Sequence, residues 1–208
     1  MTADFQSDLA NERNDTRRPE LRALLKAAFP DATAMKIIGD LGIQKMGVDA
    51  VIRRPNGDVK IDFKFRGENR DYDDFCLEYS HDHDDGRVTL GWVEDQSKIC
   101  DFFAYVRKKN WVLSLLPRER LQLAWAANKS KWITDFVSKR TRNKTYWTNW
   151  CAVPRTTLLA FMEIVEVVPP ITEKPNKIAQ STWDAFVWLK RYHPERLADW
   201  LASHPELS

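Results

Sequence analysis

The sequence lacks three features that would each indicate a particular class of protein. None of its apolar runs approaches the roughly 20 residues needed to cross a bilayer, so no transmembrane segment is expected. Its three cysteines are odd in number and widely spaced, which predicts neither a disulfide framework nor a zinc site and favours a reduced, cytoplasmic setting. Its net charge is only +2, so the overall charge says little about binding partners. The polar, acidic residues 1–15 are not expected to act as a signal peptide.

The pattern of apolar residues predicts an α/β domain followed by a helical tail. With 208 residues, of which 43% are apolar, the chain is long enough for one sizeable core. Alternating strand and helix patterns over residues 1–168 predict a mixed β-sheet flanked by helices. Residues 169–180 are rich in proline and are expected to be a linker. Residues 181–208 are amphipathic and rich in tryptophan, and are expected to pack back on the domain or to form a dimer contact.

The most informative stretch is a predicted hairpin at residues 48–66, VDAVIRRPNGDVKIDFKFR. Apolar and charged residues alternate strictly over residues 59–66, which is the pattern of a half-buried strand. Asn56 and Gly57 between the two arms are a strong signal for a two-residue turn.

That turn predicts a register and therefore two faces for the hairpin. Asp49 would lie opposite Lys64, and Val51 opposite Asp62. Because paired side chains share a face, Asp49, Asp62 and Lys64 are expected to cluster on one side of the sheet. The other face is apolar and is expected to pack on a helix: Ala50, Ile52, Ile61 and Phe63.

Two carboxylates and a lysine on one sheet face suggest chemistry on a phosphate. Carboxylates hold hard cations such as Mg²⁺, which activate water and neutralise charge that develops on a phosphate. Asp49, followed by Asp62-Phe63-Lys64 after a hairpin, resembles the PD-(D/E)xK nuclease superfamily, with its restriction-endonuclease-like fold. Val48 stands where the name of the motif has proline. The alternative is a solvated hairpin face with a salt bridge between Asp49 and Lys64.

The resemblance implies a nuclease that depends on Mg²⁺ or Mn²⁺, with DNA as the expected substrate. It implies that Asp49, Asp62 and the carbonyl group of Phe63 bind the metal, and that Lys64 positions or activates the attacking water. Two chains would be needed to cut both strands of a duplex in one encounter, so a homodimer is one expectation.

Further acidic residues are candidates for the same site. Members of the family often carry one on a preceding helix, and Glu20 and Glu12 occupy suitable positions. Glu20 has a simpler explanation, since an acidic residue in a first helical turn complements the helix dipole. Glu78, on a predicted third strand, would be a further ligand or act on the attacking water. Its alternative is a strand carboxylate at an open edge.

Basic and aromatic residues alternate over residues 128–155. Lysine and arginine neutralise phosphates without reading sequence, and aromatic rings can stack on unpaired bases. Residues 138–145 are therefore a candidate phosphate-binding loop, with four basic side chains: Lys139, Arg140, Arg142 and Lys144. The alternative is a helix with a solvated basic face and with Trp132, Ile133 and Phe136 in the core.

The remaining patterns predict the other elements of the domain. The acidic run at residues 81–86 is expected to be a solvated loop that lies away from any phosphate path. The predicted strands are at residues 35–39, 75–80, 87–93 and 111–116. Helices are predicted from Pro19 to Phe29, at 98–108 with Ser97 as its cap, from Pro117 onward, and at 156–165. The helix that Pro117 opens is expected to have an apolar face of Leu121, Leu123 and Trp125.

Three functions remain open from the sequence. The first is the metal-dependent nuclease. The second is a catalytically inactive nucleic-acid-binding or inhibitory protein of the same fold, against which the intact set of Asp49, Asp62 and Lys64 argues. The third is a protein-interaction module that uses the aromatic tail. Salt-sensitive DNA binding would separate the second function from the third, because phosphate contacts release counterions.

Overall fold

A computed structural model describes residues 19–67, 72–168 and 199–203. The chain divides into two units, Met1–Val167 and Val168–Ser208. The elements of the first unit are α1 Pro19–Ala28, β1 Ala34–Ile37, α2 Leu41–Lys45, β2 Ala50–Arg53, β3 Val59–Arg66, β4 Asp74–His83, β5 Val88–Leu90, β6 Phe102–Arg107, β7 Val112–Pro117, α3 Arg118–Asp135, β8 Val137–Arg142, β9 Tyr146–Pro154, α4 Arg155–Leu159 and β10 Val165–Val167.

The second unit is described only at Val168 and at residues 199–203, of which 199–202 are helical. The predicted linker at 169–180 and the rest of the tail lie outside the described residues. Within the described ranges, no helix combines the length and the apolar character that a membrane crossing requires.

The strands of the first unit form two sheets. The larger sheet has the order β1-β2-β3-β6-β7-β10, and its strands are antiparallel except for the parallel pair β3 and β6. The smaller sheet has the order β5-β4-β9-β8 and is antiparallel throughout. The predicted class, a mixed sheet with flanking helices, is confirmed, and the second sheet adds a layer that the sequence did not indicate.

Helix α1 covers one face of the larger sheet. It begins at Pro19, where a missing amide hydrogen costs nothing and the fixed φ suits the helix. Its apolar stripe, Leu21, Leu24 and Leu25, is fully buried. The stripe shares a core with the apolar face of the hairpin: Ala50, Ile52, Ile61 and Phe63. The prediction that this face packs on a helix is therefore confirmed.

A second core joins the other face of the larger sheet to the smaller sheet and α3. Phe103 and Leu116 of the larger sheet pack in this core with Leu77 of the smaller sheet. Trp132 of α3 is buried there, with Ile133 and Phe136 packed alongside, so the core alternative for these three residues is confirmed. The apolar face predicted for α3 was wrong at one position, because the side chain of Leu123 is 71% exposed.

The hairpin register differs from the prediction by two residues. Ala50 lies opposite Ile61 and Val51 opposite Lys60, so the predicted pairs of Asp49 with Lys64 and of Val51 with Asp62 were wrong. The turn begins at Arg54, and the amide of Gly57 donates to the Arg54 carbonyl over 3.2 Å. Pro55 is then the second turn residue, where its fixed φ is favoured, rather than a strand residue. A shift of two keeps every side chain on its predicted face.

Two predicted helices were also wrong. Residues 102–107 of the predicted helix 98–108 form strand β6, which lies between β3 and β7. Phe103 to Val106 are all buried, so this run is apolar on both faces and carries no strand alternation. The predicted helix 156–165 ends at Leu159, and Val165 begins β10 at the edge of the sheet.

Candidate active site

The backbone around Asp49 fixes its carboxylate beside strand β3. Asp49 directly precedes β2, and its amide donates to the carbonyl of Ile61 over 2.8 Å. Its own carbonyl accepts from the amide of Ile38 over 2.8 Å, which ties it to the other neighbouring strand. Its Oδ2 accepts a hydrogen bond of 2.8 Å from the amide of Phe63, the residue between Asp62 and Lys64. The side chain is thus held over the acidic-x-lysine segment.

Asp62 and Lys64 form a close ion pair in the interior of β3. The Lys64 ammonium lies 2.6 Å from Oδ1 of Asp62, a charge-assisted hydrogen bond. Asp62 is only 3% exposed, and its other oxygen, Oδ2, is buried and accepts no hydrogen bond from any described residue. The structure thus places Asp49, Asp62 and Lys64 together, with one carboxylate oxygen unused.

The surroundings shift the proton affinities of these groups. Burial, followed by repulsion from Asp62, raises the pKa of Asp49 to about 7, although Lys64 and the Phe63 amide act in the opposite direction. Burial alone would lower the pKa of Lys64, but the charges of Asp62, Asp49 and Glu78 outweigh it and raise that pKa. The lysine therefore stays protonated at neutral pH, beside two carboxylates that repel each other.

A divalent cation fits this set of donors. It would give the unused Oδ2 of Asp62 a partner and would relieve the repulsion that raises the pKa of Asp49. Across the described residues, no group of three or more His, Cys, Asp or Glu side chains is arranged to hold a metal ion. The described residues place two carboxylates at this point, and Mg²⁺ usually keeps several waters and binds one or two carboxylates.

Of the further acidic candidates, Glu78 and Glu20 lie within the described residues, and they occupy different positions relative to the site. Glu78 is in β4, and its charge contributes to the raised pKa of Lys64, so it lies near the site. Glu20 is exposed in the first turn of α1, the helix that packs against the face bearing Ile61 and Phe63. Asp62 and Lys64 alternate with those residues and occupy the opposite face, so the structure does not bring Glu20 to them. Glu12 lies outside the described residues.

Three further residues border the site, Gly47, Lys98 and Trp92, and sequence reasoning missed the last two. Gly47 has φ +78°, and a Cβ atom there would lie 3.1 Å from Oδ2 of Asp62 and 2.7 Å from Cδ of Lys98. The Lys98 ammonium donates to the carbonyl of Lys45 over 2.9 Å and fixes this segment beside Asp62. The ring of Trp92 lies 5.7 Å from the Lys64 ammonium. These contacts join segments distant in sequence, so no local pattern indicates them.

The candidate phosphate-binding segment is a strand and part of its charge is already compensated. Residues 137–142 form β8. Arg142 makes two hydrogen bonds, of 2.6 and 2.8 Å, with Asp84, and Arg140 lies 3.4 Å from Asp82. Both guanidinium groups also lie over the ring of Trp147, at 4.5 Å for Arg140 and 5.4 Å for Arg142.

The acidic run was predicted to be a solvated loop, which holds only for its exposed turn at residues 84–86. Residues 81–83 belong to β4, which continues to pair with β9 through His83 opposite Tyr146. The long pairing places the acidic residues one strand away from β8, with β9 between them, and the side chains of Asp82 and Asp84 meet Arg140 and Arg142 across β9. Lys139 and Lys144 are exposed and remain the candidates with open charge.

Comparison of the chain with protein-family models, with curated proteins and with solved structures finds no match. The function must therefore be inferred from the residues of the site. Asp62 and Lys64 lie on one face of the central strand β3, and the carboxylate of Asp49, which precedes β2, is held beside them by the amide of Phe63.

Proposed function

We propose that the protein is a metal-dependent nuclease of the restriction-endonuclease-like fold that hydrolyses phosphodiester bonds in DNA. One observation carries this proposal. Asp62 gives one oxygen to Lys64 at 2.6 Å and keeps the other buried without a hydrogen-bond partner among the described residues, next to the carboxylate of Asp49. A buried carboxylate oxygen without a donor is costly, and a bound cation would supply the missing partner.

The order of the elements around the site supports the same fold. A helix is followed by the antiparallel strands β1, β2 and β3, and a later strand, β6, returns parallel to β3. The acidic and basic residues of the motif lie at the start of β2 and within β3, on the face away from α1. A fold alone does not establish an activity, so the proposal rests on the side chains of the site.

The residues have distinct roles in the proposed reaction. Asp49 and Asp62 would hold Mg²⁺ or Mn²⁺, with the carbonyl group of Phe63 as a further ligand. Such an ion would supply a water of lowered pKa and would neutralise charge on the phosphate. The amide of Phe63 orients Asp49. Lys64 keeps its proton, because its pKa is raised, and so it would stabilise negative charge on the reacting phosphate rather than remove a proton from water.

A second function is also supported by a specific observation. The Asp62–Lys64 pair is buried and satisfies both charges in part, which is also the arrangement of a structural ion pair. A protein of this fold that binds nucleic acid without cutting it would keep such a pair. The two functions differ in whether a metal binds and whether the phosphodiester bond breaks.

Cleavage of a DNA panel separates the two. Linear duplex, single-stranded and branched DNA would be incubated with Mg²⁺, Mn²⁺ or EDTA and with wild type, Asp62→Asn or Lys64→Ala. We expect metal-dependent cleavage by wild type and a loss of about 100-fold or more in both variants. Lys60→Ala is the matched control, because Lys60 is an exposed lysine on the same face of β3.

Two results together would contradict the nuclease proposal. If wild type cuts none of the substrates, and calorimetric titration with Mn²⁺ gives the same heat for wild type and Asp62→Asn, the hairpin is a scaffold. The nuclease proposal would then be abandoned in favour of binding without hydrolysis.

A further inference from the structure

The charged face of β3 continues beyond the candidate site. Arg66 lies two residues after Lys64 and therefore on the same face of the strand. Two residues of a strand span about 7 Å, so a group held at Arg66 would lie directly beside one held at Lys64. Arg66 was not among the residues that the sequence pattern singled out.

The contacts of Arg66 leave part of its guanidinium group unused. Its Nη2 donates to Asp74 over 3.1 Å, and the group lies 4.2 Å from the ring centre of Tyr72 and 5.8 Å from that of Trp150. Its Nε is buried and has no hydrogen-bond partner in the part of the chain that the structure describes. A guanidinium group carries five N–H donors, and the contact with Asp74 engages only Nη2, so the other terminal nitrogen of Arg66 is the one left to bind an anion.

Trp150 provides an aromatic surface on the same side of the molecule as Arg66. It lies in β9, directly opposite Glu78 of β4 and Lys139 of β8. The next residue, Cys151, is fully buried in the core, so Trp150 occupies the face of the smaller sheet that points away from that core. Its ring is half-buried, and its Nε1 donates to Thr141 over 2.9 Å, which fixes its orientation.

Lys139 extends this surface with a positive charge. Because it is paired with Trp150 in register, the two side chains share one face. Lys139 is exposed and makes no ion pair with any residue in the described ranges, unlike Arg140 and Arg142. Those two arginines follow it on β8 and are compensated by Asp82 and Asp84.

We propose that Arg66, Trp150 and Lys139 form a subsite for an unpaired nucleotide of single-stranded DNA beside the phosphate that is cut. Lys139 binds a backbone phosphate and Trp150 stacks on the base, while Arg66, whose Nη2 is already paired with Asp74, offers its remaining N–H donors to the neighbouring phosphate. A base within a duplex is already stacked on its neighbours, so this subsite favours single-stranded over continuous duplex DNA. The choice of DNA and the position beside the cut phosphate rest on the proposed function.

Fluorescence anisotropy with two labelled probes tests the subsite. The probes are a fluorescein-labelled single strand of twelve thymidines and a labelled duplex of about the same length, both in EDTA at low salt. We expect Trp150→Ala to weaken binding of the single strand about tenfold, and Trp150→Phe to restore most of it, because stacking needs only an aromatic face. Binding of the duplex should change little.

Two comparisons make the test specific. Trp147→Ala is the matched control, since Trp147 lies on the same strand but pairs with Asp82 and Arg142, and we expect it to bind the single strand as wild type does. Lys139→Ala should reduce the slope of log affinity against log salt concentration by about one. Lys139 is exposed, so this variant tests the surface even if Trp150→Ala fails to fold.

The outcomes separate this proposal from the nuclease proposal. If wild type binds neither probe, if Trp150→Ala binds the single strand as wild type does, or if Trp147→Ala loses as much affinity, the subsite is overturned. If wild type cuts no DNA but Trp150→Ala and Lys139→Ala show the expected losses, the subsite stands as a binding site and the nuclease proposal fails.

Discussion

The amide of Phe63 donates to Oδ2 of Asp49 over 2.8 Å, so the residue between the two charged side chains of β3 also anchors the third charged side chain of the site. The Phe63 ring meanwhile packs in the core beneath α1. The position of the Asp49 carboxylate therefore depends on the packing of α1 against the opposite face of the sheet. In the metal-free protein this carboxylate is buried beside Asp62, and its pKa is raised.

Asp49→Asn is expected to remove a pH dependence of stability. Burial and the charge of Asp62 raise the pKa of Asp49 to about 7 in the folded protein, so between the ordinary carboxyl pKa and this value the folded state binds more protons than the unfolded state. The free energy of unfolding therefore falls as pH rises through this window and stays reduced above it.

Thermal unfolding in EDTA at about pH 5 and about pH 8 measures this effect. Wild type should have the lower Tm at the higher pH, and Asp49→Asn should lose most of that difference. An unchanged difference in Asp49→Asn would show that another group is responsible. Adding Mg²⁺ at the higher pH should raise the Tm of wild type, because a ligand that binds only the folded state stabilises it.

Lys64→Met is expected to destabilise the protein more than a double variant that also removes Asp62. Without Lys64 the nearly inaccessible Asp62 carboxylate has no cationic partner, which costs about 3 kcal/mol. Replacing both residues, as in Asp62→Leu with Lys64→Met, removes the unpaired charge and should recover most of the loss. Urea unfolding in EDTA compares the three proteins; a double variant as unstable as the single one would contradict the explanation.

Gly91→Ala is expected to destabilise the protein where residue 91 packs against the backbone of β4 at Glu78 and Tyr79. The Gly91 amide donates to the carbonyl of Tyr79 over 2.9 Å, and a Cβ atom at residue 91 would collide with the carbonyl group of Glu78. Because the obstruction is backbone, we expect a loss of about 2 kcal/mol. Gly39→Ala is the control, since no heavy atom lies within 4 Å of a Cβ there. Equal stability of the two variants in urea unfolding would be the contrary result.

Replacing both Arg140 and Arg142 by glutamine is expected to change DNA binding little. Each arginine is already paired with an aspartate, Arg140 with Asp82 of β4 and Arg142 with Asp84 in the turn after it, and so releases few counterions from DNA. The salt dependence of binding to the single-stranded probe measures this. Asp82→Asn with Asp84→Asn should steepen that dependence by freeing the two arginines. A large loss of affinity in the arginine variant would show that they contact DNA directly.

The faces of the hairpin could be predicted from the sequence, whereas its register could not. Alternation with a period of two depends only on which residues are apolar, and the core confirms it at Ile61 and Phe63. The register depends on where the turn begins, and Pro55 moves that point one residue from where Asn56 and Gly57 alone would place it, which shifts the strand pairing by two residues.

Features that depend on contacts between residues far apart in the sequence could not be predicted from the sequence. β6 reads as a helix or as a strand because it is apolar on both faces, and only its place between two strands decides. The pairing of Arg142 with Asp84 requires β9 to lie between their strands. Metal binding and nuclease activity remain predictions, now with a defined set of side chains to test.

The parallel pairing of β3 with β6 also determines when the site can exist during folding. Ile61 lies beside Phe102, so the chain must close a long loop before β3 gains its second neighbour. Non-local pairings of this kind form slowly compared with hairpins. A nascent or truncated chain that ends before residue 102 therefore contains every residue of the motif, yet it lacks the strand that holds Asp62 and Lys64 in the interior.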